Sequence, residues 1–402
     1  MKWIKYEDGY RIPIKSWCET LEPDALKQAV NLASHPAIFK HVALMPDCHV
    51  GFGMPIGGVI AASGAILPSA VGVDIGCGMI AVETDIPAER FAEMSFRRSL
   101  QNALKERIPV GEGMAHRTAQ AWDGFERYLE VNGKVCDFPN GLDRRNLGTL
   151  GGGNHFIELQ KSDDGFVWLM IHSGSRNLGQ QVEKHYQAVA RQLNEMFKVE
   201  LPDPSLAFLP TDSKEGKEYY RDMKFALEYA LENRRRMMMR FKETVAEFVP
   251  EVNFRREINI HHNYAAFEEH FGEKFCIHRK GATSAKTGEI GIIPGSMGTA
   301  SYIVRGLGNP ESFMSCSHGA GRVLSRTAAC QKLTVEECDA ALNGIVHERW
   351  NKYRGFGKSA RRGLLDLSEA PQAYKEIDSV IAAESDLVEP LVRLTPLAVL
   401  KG

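Results

Sequence analysis

The sequence predicts an α+β fold: one large domain over residues 1–402, of mixed sheets and helices, with a helical insertion at about 178–250. Three observations predict it. Short β-branched runs broken by glycine recur at 42–84, 147–176 and 255–325, and read as strands joined by tight turns. Two long charged amphipathic runs, 178–198 and 214–249, interrupt that material and read as helices. Residues suited to chemistry are spread over 45–83, 147–177, 258–264, 280–326 and 374–402. Length alone favours roughly two to three domains, but cutting the chain into independent units would divide that set.

Taken in order, residues 23–41 read as a helix and 42–84 as strands and glycine turns. From Cys48 to Val73 there is no Lys, Arg, Asp or Glu, which imitates a membrane span. Six glycines with Pro55 and Pro68 break that stretch into strand-sized pieces, so no membrane segment is expected. Residues 88–107 and 116–130 read as amphipathic helices, and 147–176 returns to strand and glycine loop. The helices at 178–198 and 214–249 are joined by a turn at Leu201-Pro-Asp-Pro. The second contains Arg234-Arg-Arg-Met-Met-Met-Arg240; its methionines read as packing and its arginines as a solvated face more than an RNA grip. Strand and loop run through 275–325, then helices are expected at 334–350 and 369–388.

The chain is 44% apolar and 25% charged with a net charge of −2, so the surface as a whole is no basic sheath. Any polyanion must meet a local patch, and Arg349 to Arg362, with six basic residues and no acid, is the best candidate. The eight cysteines are scattered without a CxxC pair, and Met-Lys-Trp-Ile-Lys-Tyr-Glu is no signal peptide. A reduced, cytoplasmic protein is expected.

The chemistry concentrates where His or Cys stands beside glycine. Asp74-Ile-Gly-Cys77 puts a carboxylate and a thiol in one glycine-rich loop, able to turn onto one ion. His155 and His172 stand at the ends of predicted strands, and His261-His262-Asn263 follows another. That supply exceeds what one tetrahedral ion needs, and a thiolate can bridge two. Thiolate softness alone favours zinc or iron. In Ser315-Cys-Ser-His318-Gly-Ala-Gly-Arg322-Val-Leu-Ser-Arg326, a histidine in a glycine turn offers a nucleophilic ring nitrogen, with two arginines at helical spacing to neutralise phosphate. The loops Gly151-Gly-Gly-Asn154-His155 and Ile293-Pro-Gly-Ser296-Met-Gly-Thr-Ala-Ser301 can form anion nests, though neither is a P-loop. A two-metal phosphoesterase needs the same ligands without a covalent histidine, and is the competing reading.

Met45-Pro-Asp47-Cys-His49, Val71-Gly-Val-Asp74-Ile-Gly-Cys77-Gly, Leu147-Gly-Thr-Leu-Gly-Gly-Gly-Asn154-His155-Phe-Ile-Glu158, His172-Ser-Gly-Ser-Arg176, His262-Asn263, Pro294-Gly-Ser-Met-Gly and His318-Gly-Ala-Gly-Arg322 occur in this order. Together they resemble the RtcB-type RNA ligases, the tRNA-splicing and RNA-repair ligase family, over nearly the whole chain. The resemblance implies an α+β body around a deep cleft, GTP, and two manganese ions. It implies joining of an RNA end bearing a 2′,3′-cyclic phosphate or 3′-phosphate to a 5′-hydroxyl end, through a histidine–GMP and then an RNA-3′-ppG intermediate. By motif, Asp74, Cys77, His155, His172 and His262 are the implied manganese ligands, with Cys77 bridging, and His318 the implied nucleophile. The implied nucleotide pocket comprises Asn154, His155, Phe156, Ile157, Glu158, His262, Asn263, Pro294, Gly295, Ser296, Met297, Ser301, His318, Gly319, Ala320, Gly321, Tyr374 and Lys401. An archease-type activating protein is a candidate partner on the same ground. Cys48 departs from the aliphatic residue expected inside its motif, with the RNA 3′-end site as the place it would act.

Overall fold

Two large antiparallel-dominated sheets hold most of the strands in the computed structural model, which describes residues 1–132, 143–351 and 363–402; two small ones pair Ala282–Ser284 with Ser315–Ser317 and Ala65–Ile66 with Leu209–Pro210. The first sheet has six strands in the order Trp3–Lys5, Ile14–Ser16, Ile38–Phe52, Met54–Ala62, Glu273–Lys280 and Asn263–His270. The second has seven, in the order Phe254–His261, Gly78–Pro87, Phe166–Ser173, Phe156–Ser162, Val388–Lys401, Ser301–Gly306 and Ile290–Ile293. Mixed strand order with separate helices is the α+β class expected. The chain crosses from the second sheet to the first at a single residue, His262, between Phe254–His261 and Asn263–His270.

Alternation along the strands sets the layers. Ile157 and Leu159 point into one core with Ile80, Val82, Leu169 and Ile171, covered by Leu100 and Leu104 of helix Met94–Arg107 and by Met237, Phe241 and Val245 of helix Lys214–Phe248. Phe156 points the other way, among Met79, Met170, Ile258 and Met297. Helices Leu178–Met196 and Lys214–Phe248 lie where the amphipathic runs predict them. In the charge-free stretch, strand Met54–Ala62 and the short helix Pro68–Val71 are both buried. Among the described residues no helix is long and apolar enough to cross a membrane.

The differences from the sequence reading have local causes. The first helix is Pro23–Ala33, and a strand begins at Ile38, because Pro36 cannot continue a helix. The helix expected over 116–130 starts only at Asp123. The one expected over 334–350 is Val335–Ala341, and the chain turns at Gly344 with φ +81°. The one expected over 369–388 shrinks to Ile377–Ala383. It gives way to the last strand, Val388–Lys401, whose pairing shifts register between Pro396 and Ala398. Of the arginines, Arg235 and Arg236 pair with Glu232, but Arg234 is fully buried instead of solvated. Most of the basic stretch, residues 352–362, lies outside the described residues.

Candidate metal and nucleotide site

Strand register gathers the candidate ligands at one end of the second sheet. His172 pairs with both Met79 and Phe156, and Lys401 pairs with Phe156. Cys77 and His155 immediately precede two of these strands, and His262 immediately follows His261, which pairs with Gly78. As a result Cys77 Sγ lies 3.2 Å from His172 Nε2 and 3.5 Å from His155 Nε2. Asp74 Oδ2 lies 3.2 Å from His155 Nε2, and His262 Nε2 lies 3.3 Å from His172 Nε2. All five residues expected as ligands are thus neighbours, and Cys77, His155, His172 and His262 are buried.

The donor set fits a bound cation. His155 Nδ1 lies 3.0 Å from the Leu150 carbonyl and His172 Nδ1 lies 3.1 Å from that of Asn154. A carbonyl only accepts, so each Nδ1 carries the proton and each Nε2 presents a lone pair. Burial drives His172 and His262 well below the usual histidine range, with neighbouring histidines adding to it, so both rings are neutral. The His262 Nδ1 finds no hydrogen-bond partner among the described residues. Bare lone pairs about a thiol repel one another without a cation between them, and a metal removes that repulsion.

The nucleophile candidate, His318, follows strand Ser315–Ser317, which pairs with Ala282–Ser284, and its carboxylate partner comes from the six-stranded sheet. Strand Ile38–Phe52 bulges between Leu44, opposite Gly58, and His49, opposite Ile56. Pro46 has no N–H for the ladder, and a bulge re-aims the residues it contains. Asp47, fully buried in it, receives the His318 backbone N–H at 3.1 Å and the His318 Nδ1 at 2.5 Å. His318 Nε2 is thereby left as a lone pair, with the His262 ring centroid 4.9 Å away. Lys375 ties the bulge down by donating to the carbonyls of Pro46 and Cys48, 2.9 Å each. Cys48 itself packs with Leu44, Met54 and Leu67 in an apolar cluster, so its thiol is filler and not a wall of the site.

His318 opens on a cavity of about 370 Å³, a size suited to a nucleotide. Asn154, Phe156, Pro294, Gly295, Ser296, Met297, Gly319, Ala320, Gly321, Tyr374 and Lys401 line it together with His172, Arg322 and Arg326. The other residues expected in the pocket lie off its wall. His155 and His262 sit in the ligand cluster, and Ile157 packs into the apolar core. Asn263 braces the Asp74 loop, giving Nδ2 to the Asp74 carbonyl and accepting the Gly281 N–H. Glu158 and Ser301 lie just behind, linked through Gln160 Nε2, and Ser301 Oγ accepts the Gly295 N–H at 3.2 Å. Burial pushes the Glu158 carboxyl up to about 8. A larger cavity of about 470 Å³, between Tyr128, Tyr220 and Phe225, holds none of these residues.

Two acidic residues escaped the sequence reading. Asp47 stood inside a quoted motif, but nothing in a linear pattern shows that it faces His318. Glu369 accepts from Arg322, Arg326, Lys401 and Tyr374, and stays ionised at about 2 because three cations outweigh its burial. The helical spacing of Arg322 and Arg326 is not used as such: the helix begins at Arg326, capped by Ser325, and the two arginines converge on Glu369 from a turn.

The family model described as tRNA-splicing ligase RtcB matches residues 28–402. The RNA-splicing ligase RtcB of Escherichia coli (strain K12) is 40% identical over 414 aligned residues, covering 97% of each chain. The tRNA-splicing ligase RtcB of Archaeoglobus fulgidus is 33% identical, covering 99% of this chain and 96% of its own. The RNA-splicing ligase RtcB of Mycobacterium bovis is 32% identical, covering 93% of this chain and all of its own, 100%. Every candidate ligand, the whole seven-stranded sheet and all of the six-stranded one but Trp3–Lys5 and Ile14–Ser16 fall within the matched span, and the chain belongs to the RtcB ligase family.

Proposed function

We propose that the protein is a GTP- and manganese-dependent RNA ligase. It joins a 2′,3′-cyclic-phosphate or 3′-phosphate RNA end to a 5′-hydroxyl end. The observation that carries the reading is the Asp47–His318 pair, whose His318 opens onto the same cavity that His172 of the Cys77, His155 and His172 cluster lines. Asp47 and the ring proton it accepts hold His318 with Nε2 toward the reactants, the division of labour of a carboxylate–histidine pair. Asp74, Cys77, His155, His172 and His262 would hold two manganese ions, which would neutralise charge at the transferring phosphates. His318 Nε2 attacks the α-phosphorus of GTP, an N–P bond forms, and the P–O bond to pyrophosphate breaks. The GMP then passes to the RNA 3′-phosphate as His318 leaves, and the 5′-hydroxyl displaces GMP from the resulting RNA-3′-ppG. Arg322, Arg326 and Lys401 meet the phosphates and base from the far wall. An archease-type protein is a partner in this reading, and tRNA processing or RNA repair its setting.

Incubation with GTP labelled at the α-phosphate, with manganese, should label the chain. The bond should be acid-labile and alkali-stable, and His318→Ala should remove the label. Labelling that survives His318→Ala would place the nucleophile elsewhere; no labelling of the wild type would favour a phosphoesterase.

A further inference from the structure

The long helix Lys214–Phe248 reaches the ligand cluster from behind with two adjacent side chains, Asn233 and Arg234, both fully buried. Arg234 Nη1 donates to the carbonyl of Gly76 at 2.8 Å and to that of Ser173 at 2.9 Å. Its Nε donates to Asn259 Oδ1 at 2.8 Å, and Nη2 reaches His261 Nδ1 at 3.2 Å. Gly76 precedes Cys77, Ser173 follows His172, and His261 precedes His262. Asn233 Oδ1 accepts the N–H groups of Gly148 (2.7 Å) and Thr149 (3.1 Å), at the head of the loop whose Leu150 carbonyl holds His155. Its Nδ2 donates to the Thr149 carbonyl, Ser173 Oγ and the Gly174 carbonyl, each at 3.2 Å.

We propose that Asn233 and Arg234 are positioning residues for the metal site, a clamp that sets the spacing of the loops bearing Cys77, His155, His172 and His262. This rests on the metal reading above. One feature separates it from ordinary packing. Apart from Asn259 Oδ1, every group the pair contacts lies within two residues of a ligand or on the loop that orients His155, which scattered core hydrogen bonds do not do.

The test is metal affinity, measured on the purified full chain by chelator competition with Mn²⁺, and with Co²⁺ as an absorbing probe of thiolate ligation. Arg234→Lys keeps the charge but loses the planar fork. It should weaken metal binding about 10–100-fold, the usual effect of removing an outer-shell partner, and shift the Co²⁺–thiolate band. Asn233→Ser should act in the same direction, and carries the test if Arg234→Lys does not fold. Arg97→Lys is the control: Arg97 is also buried and donates only to the carbonyls of Gly344, Leu397 and Ala92, none beside a ligand. It should lower the melting temperature and leave metal binding alone. Wild-type affinity and an unshifted band in both clamp variants, or an equal loss in Arg97→Lys, would overturn the proposal. A wild type that takes up no metal would overturn the metal reading and the clamp with it.

Discussion

At the scale of single residues, the site depends on contacts that a motif implies but does not display. Asp47 fixes which His318 nitrogen carries the proton. Asp47→Asn leaves an amide that can face the ring either way, so the free lone pair is no longer assured. GMP labelling should slow by about 10²–10⁴-fold, as when a carboxylate–histidine pair is broken in this way, while metal content stays the same. Gly174 has an equally specific reason. A Cβ there would come within 2.3 Å of Asp74 Oδ1. Gly174→Ala should therefore swing that carboxylate aside and cost metal affinity with little effect on folding; chelator competition beside a thermal melt measures both. The motif residues Asp74, Cys77, His155, His172, His262 and His318 were legible because each is a ligand or nucleophile type within two residues of Gly, Asn or Ser. Asp47, Glu369 and Arg234 were not, because a carboxylate in a strand or an arginine in a charged helix looks the same whether buried or solvated.

At the scale of elements, the last strand is the instructive one. Val388–Lys401 begins where the helix expected over 369–388 would end, and it lies inside the second sheet between Phe156–Ser162 and Ser301–Gly306. Pro390 and Pro396 argue against a helix, and the register slip beside Pro396 absorbs its missing donor. Tertiary pairing, which no local pattern encodes, decides the rest. This strand delivers Lys401 to the cavity, where its Nζ lies 3.2 Å from Glu369 Oε2 and 3.4 Å from the Asn154 carbonyl. An ammonium suits the O6 acceptor of guanine and meets a donor in the adenine N6 amine. Removing Lys401 and Gly402 should narrow the preference for GTP over ATP in the labelling reaction by a factor of about ten or more, the cost of one unpaired buried group. An unchanged ratio would take Lys401 out of base recognition.

At the scale of the whole molecule, buried ionisable groups tie stability to pH. Burial raises Glu158 and Glu384 to about 8, with Asp47 adding to the effect on Glu384. Their folded values lie above the unfolded value of about 4.3, so each contributes stability that is complete below that value and is lost as pH rises through 8. Lys280, lowered to about 7 by burial, has the opposite sign: its penalty is relieved above that pH. The fall that the two carboxyls contribute lies between about pH 4.3 and 8; below about 6.5 it is opposed by histidines that burial holds neutral, among them His35, His41 and His278 at about 4. Glu384→Gln should therefore shift the change in denaturation midpoint between pH 5.5 and 7.5 in the stabilising direction relative to wild type; a change identical to wild type would show that Glu384 is ionised in the folded chain.

The crossing at His262 has a mechanical consequence. Asp47, which holds His318, rides on the six-stranded sheet, while Cys77, His155 and His172 ride on the seven-stranded one or at its strand ends. An ion gripped by His262 together with the three others would act as a rivet through the seam. Stripping it with a chelator should let the halves breathe. In hydrogen–deuterium exchange, amides of 258–264 and 315–321 should then exchange faster, while the far ends of both sheets keep their protection. In the proposed reaction the same ion would thus also keep His318 Nε2 in register with the phosphate it attacks.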